Sequence, residues 1–164
     1  MAVELLANKK VLIVGATGSI GSEATRMIKG GQAEVFITGR DKAKLSEIAK
    51  NNDIPNDQVF EMEVTDPKSV KAVADKIHEK VERLDIVINA AGVGYLKKFE
   101  DIEYDQLSRV LDINLKGAFL VMQSFLPPMK EAKKGMFINI PGVLGKAPMA
   151  AAAAYAASKY GLNG

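Results

Sequence analysis

A three-layer α/β domain on a doubly wound parallel sheet is the fold this sequence predicts, and three observations carry it. Short apolar runs alternate with longer amphipathic segments along the chain. The runs are continuously apolar, the pattern of strands buried on both faces. The segments between them carry helix start and stop signals, so the order strand, helix, strand repeats. The first strand is Lys10-Val11-Leu12-Ile13-Val14, ending at a glycine. A helix is expected from about Ser19 to Lys29, stopped by Gly30-Gly31. Glu34 to Thr38 is the second strand, and Asp41 caps a second helix running to about Lys50. Val59 to Val64 reads as the third strand. Asp66-Pro67 is an N-cap followed by proline at the first helical position, which opens a helix to about Val81. Leu84 to Ile88 is the fourth strand. A long helical region from about Asp105 to Met129 follows, with a bend or break expected at Pro127-Pro128. Gly135 to Ile140 is the fifth strand, and a last helix begins near Ala152 after a loop rich in Gly, Pro and Ala. The run Ala150 to Ala154 leads into that helix and reads as a close-packed surface. No repeat or linker divides the chain, so residues 1–164 are expected to form one domain.

Composition narrows the function. The 164 residues carry 22 basic and 20 acidic side chains, a net charge of +2, which is no electrostatic footprint for nucleic acid. There are no cysteines, which excludes disulfides and thiolate chemistry and points to a reducing compartment, the cytoplasm. No apolar run is long enough to span a bilayer, and Met1 to Lys10 is too short and polar for a signal peptide. The single histidine, His78, sits among Lys76, Glu79 and Lys80 and is expected to be exposed; no metal site is expected.

The first strand-to-helix turn reads Gly15-Ala16-Thr17-Gly18-Ser19-Ile20-Gly21. Glycines there let the backbone turn tightly and approach a pyrophosphate, whose charge is met by amides of the helix N-terminus. The spacing is G-x-x-G-x-x-G; placed between a first strand and a first helix it favours a nucleotide site over a tight turn that needs small residues for packing. The second strand ends Thr38-Gly39-Arg40-Asp41, where an acid would bind the 2′-hydroxyl of NAD and an arginine suits the 2′-phosphate of NADP. Arg40 therefore favours NADP(H) over NAD(H). Near the end, Tyr155-Ala-Ala-Ser-Lys159 places a phenol and an ammonium on one helical face. A nearby cation favours the phenolate, which makes Tyr155 a candidate acid/base.

Taken in order, these motifs resemble the short-chain dehydrogenase/reductase family, whose domain is a Rossmann fold. The likeness adds Asn89-Ala90-Ala91-Gly92 after the fourth strand and Asn114 within Ile113-Asn114-Leu115-Lys116-Gly117. The resemblance implies reversible hydride transfer between a nicotinamide dinucleotide and a carbonyl or secondary alcohol. Tyr155 would move the proton, Lys159 would lower its pKa and hold the nicotinamide ribose, and Asn114 would hold a water in the proton relay. Gly15, Thr17, Gly18, Ser19, Ile20 and Gly21 would hold the pyrophosphate. Glu63 and Val64 would lie near the adenine, and Asn89 to Gly92 would line the adenosine side. It also implies a small-molecule substrate, no nucleic-acid or membrane partner, and a homodimer or homotetramer in the full-length protein.

Two departures stand against the resemblance. The family's catalytic serine lies thirteen residues before the tyrosine, and that position is Gly142, preceded by Pro141. A polarising donor is therefore missing, at a typical cost on the order of 10²–10³ in rate, and a hydroxyl restored at 142 is expected to point at the substrate oxygen. Ser158 is not expected to replace it. An impaired family member that binds the dinucleotide as a sensor or partner protein is the alternative. The family also continues with one or two more strands, so five strands of an expected six or seven are present, with the fifth at a sheet edge.

Overall fold

The computed structural model describes residues 6–164. The first five residues of Met1 to Lys10, the stretch expected above to be too short and polar for a signal peptide, lie outside the described residues. Five strands form one parallel sheet: β1 (Lys10–Val14), β2 (Glu34–Gly39), β3 (Val59–Glu61), β4 (Ile86–Asn89) and β5 (Met136–Asn139), in the order β3-β2-β1-β4-β5. The doubly wound three-layer fold expected from the sequence is the one observed. The chain reverses its direction of growth between β1 and β4. That leaves a crevice above the carboxyl ends of the strands, where open α/β sheets bind ligands.

Alternation along the strands sorts the core into two halves. Leu12, Val14, Phe36 and Val87 face one side and pack with Met62, Val64, Ile77, Val121 and Phe125. Val11, Ile13, Val35, Ile37 and Ile88 face the other and pack with Leu45 and Ala49. The first side is covered by α3 (Pro67–His78) and α5 (Gly117–Glu131), the second by α1 (Ser19–Gly30) and α2 (Lys42–Asn51). The predicted caps are in place: Asp41 accepts from Lys44 N at 3.0 Å, and Asp66 accepts from Lys68 N at 2.9 Å with Pro67 opening α3.

Three expectations change. The third strand ends at Glu61 rather than Val64, because Glu63 N turns away to donate to Ser69 Oγ at 3.0 Å. The long helical region is not broken at Pro127-Pro128, which lie inside the last turns of α5. It is interrupted earlier: α4 (Tyr104–Leu111) widens into a π-helical turn over Asp112–Lys116 before α5 begins. His78 is half-buried rather than exposed, because the end of α3 packs on α5 and sets its ring edge-on to Phe125, with centroids 5.6 Å apart. Burial lowers its pKa.

The last helix, α6 (Ala153–Asn163), packs on α4 and the π turn. Of the run Ala150 to Ala154, Ala152 and Ala154 are buried while Ala150 and Ala151 are exposed, so only its second half is the close-packed surface expected. A methyl built on Gly161 would lie 3.0 Å from Leu115 Cδ2, which shows how near the two helices come. Polar ties fix the preceding loop to α6: Tyr160 donates its hydroxyl to Lys146 O at 2.7 Å, and Asn163 Nδ2 donates to Gly145 O.

Candidate active site

A cleft of about 170 Å³ opens above β1, β2 and β4 at the switch in strand order. One wall is the turn after β1. Gly15 has φ +78°, and a side chain there would strike the backbone of Ala91 at 2.6 Å, so the turn lies directly against the segment after β4. Gly21 is pressed on the Gly15 carbonyl, with no room for a side chain. The N-terminus of α1 is left available: its N-cap is Gly18, no side chain caps it, and no acidic residue lies in its first turn. Free first-turn amides and a positive helix end suit a phosphate. Ser19 and Ile20 are exposed at this end. These donors and the absence of side chains fit a dinucleotide pyrophosphate.

The opposite end of the cleft holds Arg40, Glu63 and Val64. Arg40 Nη1 lies 3.7 Å from Glu63 Oε2, and both side chains are substantially exposed. Glu63 is also fixed by accepting from Thr65 N and Thr65 Oγ1 at 3.1 and 2.9 Å. An exposed pair of this kind contributes little to stability, so the guanidinium is free to turn to a better anion. Met62, Val64 and Ile113 give this end an apolar lining.

The remaining sequence-predicted residues gather beside the cleft rather than in it. Asn114, in the π turn, is almost fully buried. Its Oδ1 accepts from Val93 N at 2.8 Å, and its Nδ2 donates to Val93 O at 2.8 Å and to Ser158 Oγ at 2.9 Å. Ser158 in turn donates to Tyr155 O at 2.7 Å, so its hydroxyl is committed to the helix and faces away from any substrate. Lys159 donates to Ile140 O at 2.8 Å, and its nitrogen lies 5.6 Å from the centroid of the Tyr155 ring. Burial lowers the Lys159 pKa. The Tyr155 ring rests on Gly94, where a built methyl would meet ring carbons at 2.9 Å.

Gly92 joins the two regions. It lines the cleft, and a methyl on it would come 3.3 Å from Asn114 Oδ1 and 3.5 Å from Lys159 Nζ. Gly15, Thr17, Gly18, Arg40, Glu63, Val64, Ala90, Ala91 and Gly92 all line the cleft. Asn89 does not: its Oδ1 accepts from Ala91 N at 3.3 Å and its Nδ2 donates to Asn139 Oδ1 at 3.3 Å, which ties the ends of β4 and β5. Sequence reasoning missed Thr38, Met62, Val93 and Ile113 as lining residues and Gly94 as the seat of Tyr155. The visible signal for Gly94 was a second glycine two positions beyond Gly92.

Gly142 has φ +66° and ψ −171°, a conformation essentially reserved for glycine. A methyl there would meet nothing within 4 Å, so space is not the obstacle; the backbone is. The expectation that a serine hydroxyl could be placed at 142 by substitution alone is corrected by this geometry. Among the described residues no group of three or more His, Cys, Asp or Glu is placed to hold a metal, and no helix is long and apolar enough to cross a membrane.

Comparison with known proteins agrees with this geometry. An uncharacterized oxidoreductase of Staphylococcus aureus strain MW2 is 30% identical over 155 residues, covering 94% of this chain and 67% of the relative. A second, from Staphylococcus epidermidis strain ATCC 12228, is 28% identical with the same coverage. The chain thus spans about two thirds of the length of these relatives. Among solved structures, an Escherichia coli oxidoreductase superposes with TM-score 0.90 at 26% identity, covering 98% of this chain and 68% of that one. A metagenomic short-chain oxidoreductase in complex with NADP superposes with TM-score 0.88 at 29% identity, covering 96% and 73%. The profile described as short chain dehydrogenase matches residues 9–164, nearly the whole of the glycine turn, sheet and Tyr155 helix set out above, and the chain belongs to that family of oxidoreductases.

Proposed function

We propose that this protein transfers hydride between NADP(H) and a carbonyl or secondary-alcohol substrate, with Tyr155 moving the proton at the substrate oxygen. The observation that carries the reading is the junction at Gly92, where the cleft lined by the glycine turn meets Asn114 and Lys159. When bound, the nicotinamide dinucleotide supplies or takes up the hydride. The chain's own residues do the rest. The first-turn amides of α1 hold the pyrophosphate, and Arg40 turns from Glu63 to the 2′-phosphate. The Lys159 ammonium, oriented by Ile140 O, is held 5.6 Å from the centre of the Tyr155 ring. Asn114 clamps Val93 and so fixes the strip of backbone on which the tyrosine ring lies. The cytoplasmic location, the single-domain organisation and assembly as a dimer or tetramer belong to the same reading and rest on composition and family resemblance.

A second reading, an impaired member that binds the dinucleotide without efficient turnover, is favoured by Gly142. Titration with both cofactors and a carbonyl panel separates the two. We expect NADPH to bind more tightly than NADH, and Arg40→Ala to remove most of that preference. An unchanged affinity ratio in Arg40→Ala would exclude Arg40 as the selector. Turnover with NADPH that falls on the order of 10²-fold or more in Tyr155→Phe supports the enzyme. Tight cofactor binding with no turnover on any carbonyl supports the impaired member.

A further inference from the structure

Where β4 and β5 pair, Asn89 stands opposite Asn139 at the last position in register. Asparagine is depleted in strands, and strands buried on both faces are normally apolar throughout. A pair of asparagines at one position of the sheet therefore needs a local reason. The direction of the hydrogen bonds supplies it. The Ala91 amide can only donate, so Asn89 must turn its oxygen to it, at 3.3 Å. The Asn89 nitrogen is then left to donate to Asn139 Oδ1 at 3.3 Å. The Asn139 nitrogen in turn donates to Met122 Sδ on α5, a weak acceptor, at 3.4 Å. Every donor in this chain points the same way, from the segment after β4 through β4 and β5 to α5. Its first link holds the backbone on which the glycine turn rests: a side chain on Gly15 would lie 2.6 Å from Ala91 N, the atom that Asn89 accepts from. On its other side the turn is fixed to β2, where Gly15 N and Ala16 N donate to Thr38 O at 3.0 and 2.9 Å. The turn is thus gripped between Thr38 and Ala91 with no slack.

We propose that Asn139 is a positioning residue for dinucleotide binding: outside the cleft itself, it fixes the Asn89 amide and through it the Ala90–Gly92 wall and the glycine turn. The proposal rests on the cleft being the dinucleotide site. Without the Asn139 oxygen, the nitrogen of the buried Asn89 amide loses its partner, and the amide is free to turn away from Ala91 N. The wall then loses its anchor, and the turn packed on it loses its backstop. The effect falls on the part of the site that NADPH and NADH share, away from Arg40.

The test measures dissociation constants of NADPH and NADH for the wild-type protein, Asn139→Leu, Asn139→Asp, Asn89→Ala and the double variant Asn89→Ala/Asn139→Leu. Asn139→Leu keeps the size and removes the acceptor, and is expected to weaken both cofactors by a similar factor, about three- to tenfold. Asn139→Asp keeps an oxygen towards Asn89 and is expected to bind both nearly as the wild type does. Because Asn139 acts only through Asn89, the double variant is expected to bind no more weakly than Asn89→Ala alone. Asn139→Ala replaces Asn139→Leu in the cycle if the leucine variant does not fold. Affinities in Asn139→Leu equal to the wild type would overturn the proposal, and so would a loss in Asn139→Asp as large as that in Asn139→Leu. Losses that add in the double variant would overturn it too, because the two residues would then act independently, as would a loss confined to NADPH, which would place the effect at Arg40. A wild-type protein that binds neither cofactor would instead remove the dinucleotide reading of the cleft, and this proposal with it.

Discussion

Single residues at this site act through the room they leave. The Tyr155 ring is held from below by Gly94 and from its own helix by the chain Tyr155 O, Ser158, Asn114 and Val93. The helix side cannot move without breaking buried hydrogen bonds, so a side chain at 94 must displace the ring. Displacing a reacting group by about 1 Å can cost on the order of 10²-fold in rate. Gly94→Ala is therefore expected to lower kcat by at least about tenfold, with NADPH affinity and melting temperature close to wild type. Steady-state kinetics with separate cofactor titration checks this, and an undiminished kcat would mean that the ring has somewhere else to go. The sequence made Tyr155, Lys159 and Asn114 visible because their residue types carry chemistry at a fixed spacing. Gly94 was not read as a site residue, because it acts by lacking a side chain.

At the scale of elements, apolar runs located every strand, because strands buried on both faces have little freedom in composition. Caps located α2 and α3 for the same reason, since Asp41 and Asp66 answer a local need of the backbone. The π turn at Asp112–Lys116 could not be read in this way. It depends on Asn114 reaching Val93, 21 residues away, and nothing in the neighbouring sequence records that contact. The two prolines drew attention to the wrong end of the helix: near the C-terminus of α5 the chain accommodates both. The loop after β5 is the element where sequence and structure together alter an expectation. Gly142 stands where the resemblance implies a serine, and its backbone lies in a region that a serine resists. Gly142→Ser is expected to cost about 1–3 kcal/mol. At about 2–4 °C per kcal/mol for a domain of this size, that is a drop of several degrees in Tm. Gly142→Ala is the control, because the cost lies in the backbone and should be the same. A serine variant as stable as wild type beside a destabilised alanine variant would show that the hydroxyl finds a compensating partner. Two unaffected variants would show that the loop relaxes freely.

For the molecule as a whole, chemistry and stability sit at opposite ends of the sheet. The cleft, the glycine turn and the Tyr155 cluster occupy the carboxyl ends of the strands, where the backbone is turned outward and polar groups are left for a ligand. The amino ends are closed by Asp85. Its Oδ2 accepts from Lys10 N at 3.0 Å and its Oδ1 from Arg83 Nη1 at 2.9 Å, while its own amide donates to Lys10 O at 2.8 Å and its carbonyl accepts from Met136 N at 3.0 Å. One residue thus ties β1, β4 and β5 together. Burial pushes the Asp85 carboxyl up, but the Lys10 amide, the Arg83 guanidinium and the charge of Lys9 outweigh it and hold the pKa below the usual carboxylate range. A depressed pKa in the folded state means that the unfolded chain binds the proton first. The stabilisation is therefore present above the ordinary carboxylate value, about pH 4, and is lost as pH falls through the lower, folded value. Asp85→Asn removes the charge but keeps much of the shape. Urea midpoints for the wild type and Asp85→Asn, measured from pH 7 down to about pH 3, are expected to differ most at neutral pH and to converge below about pH 4. Cofactor affinity at neutral pH should be the same in both, because the residue is at the far end of the strands from the cleft. A stability gap that stays constant with pH would mean that Asp85 acts through hydrogen-bond geometry alone and that its charge contributes nothing to holding the three strands.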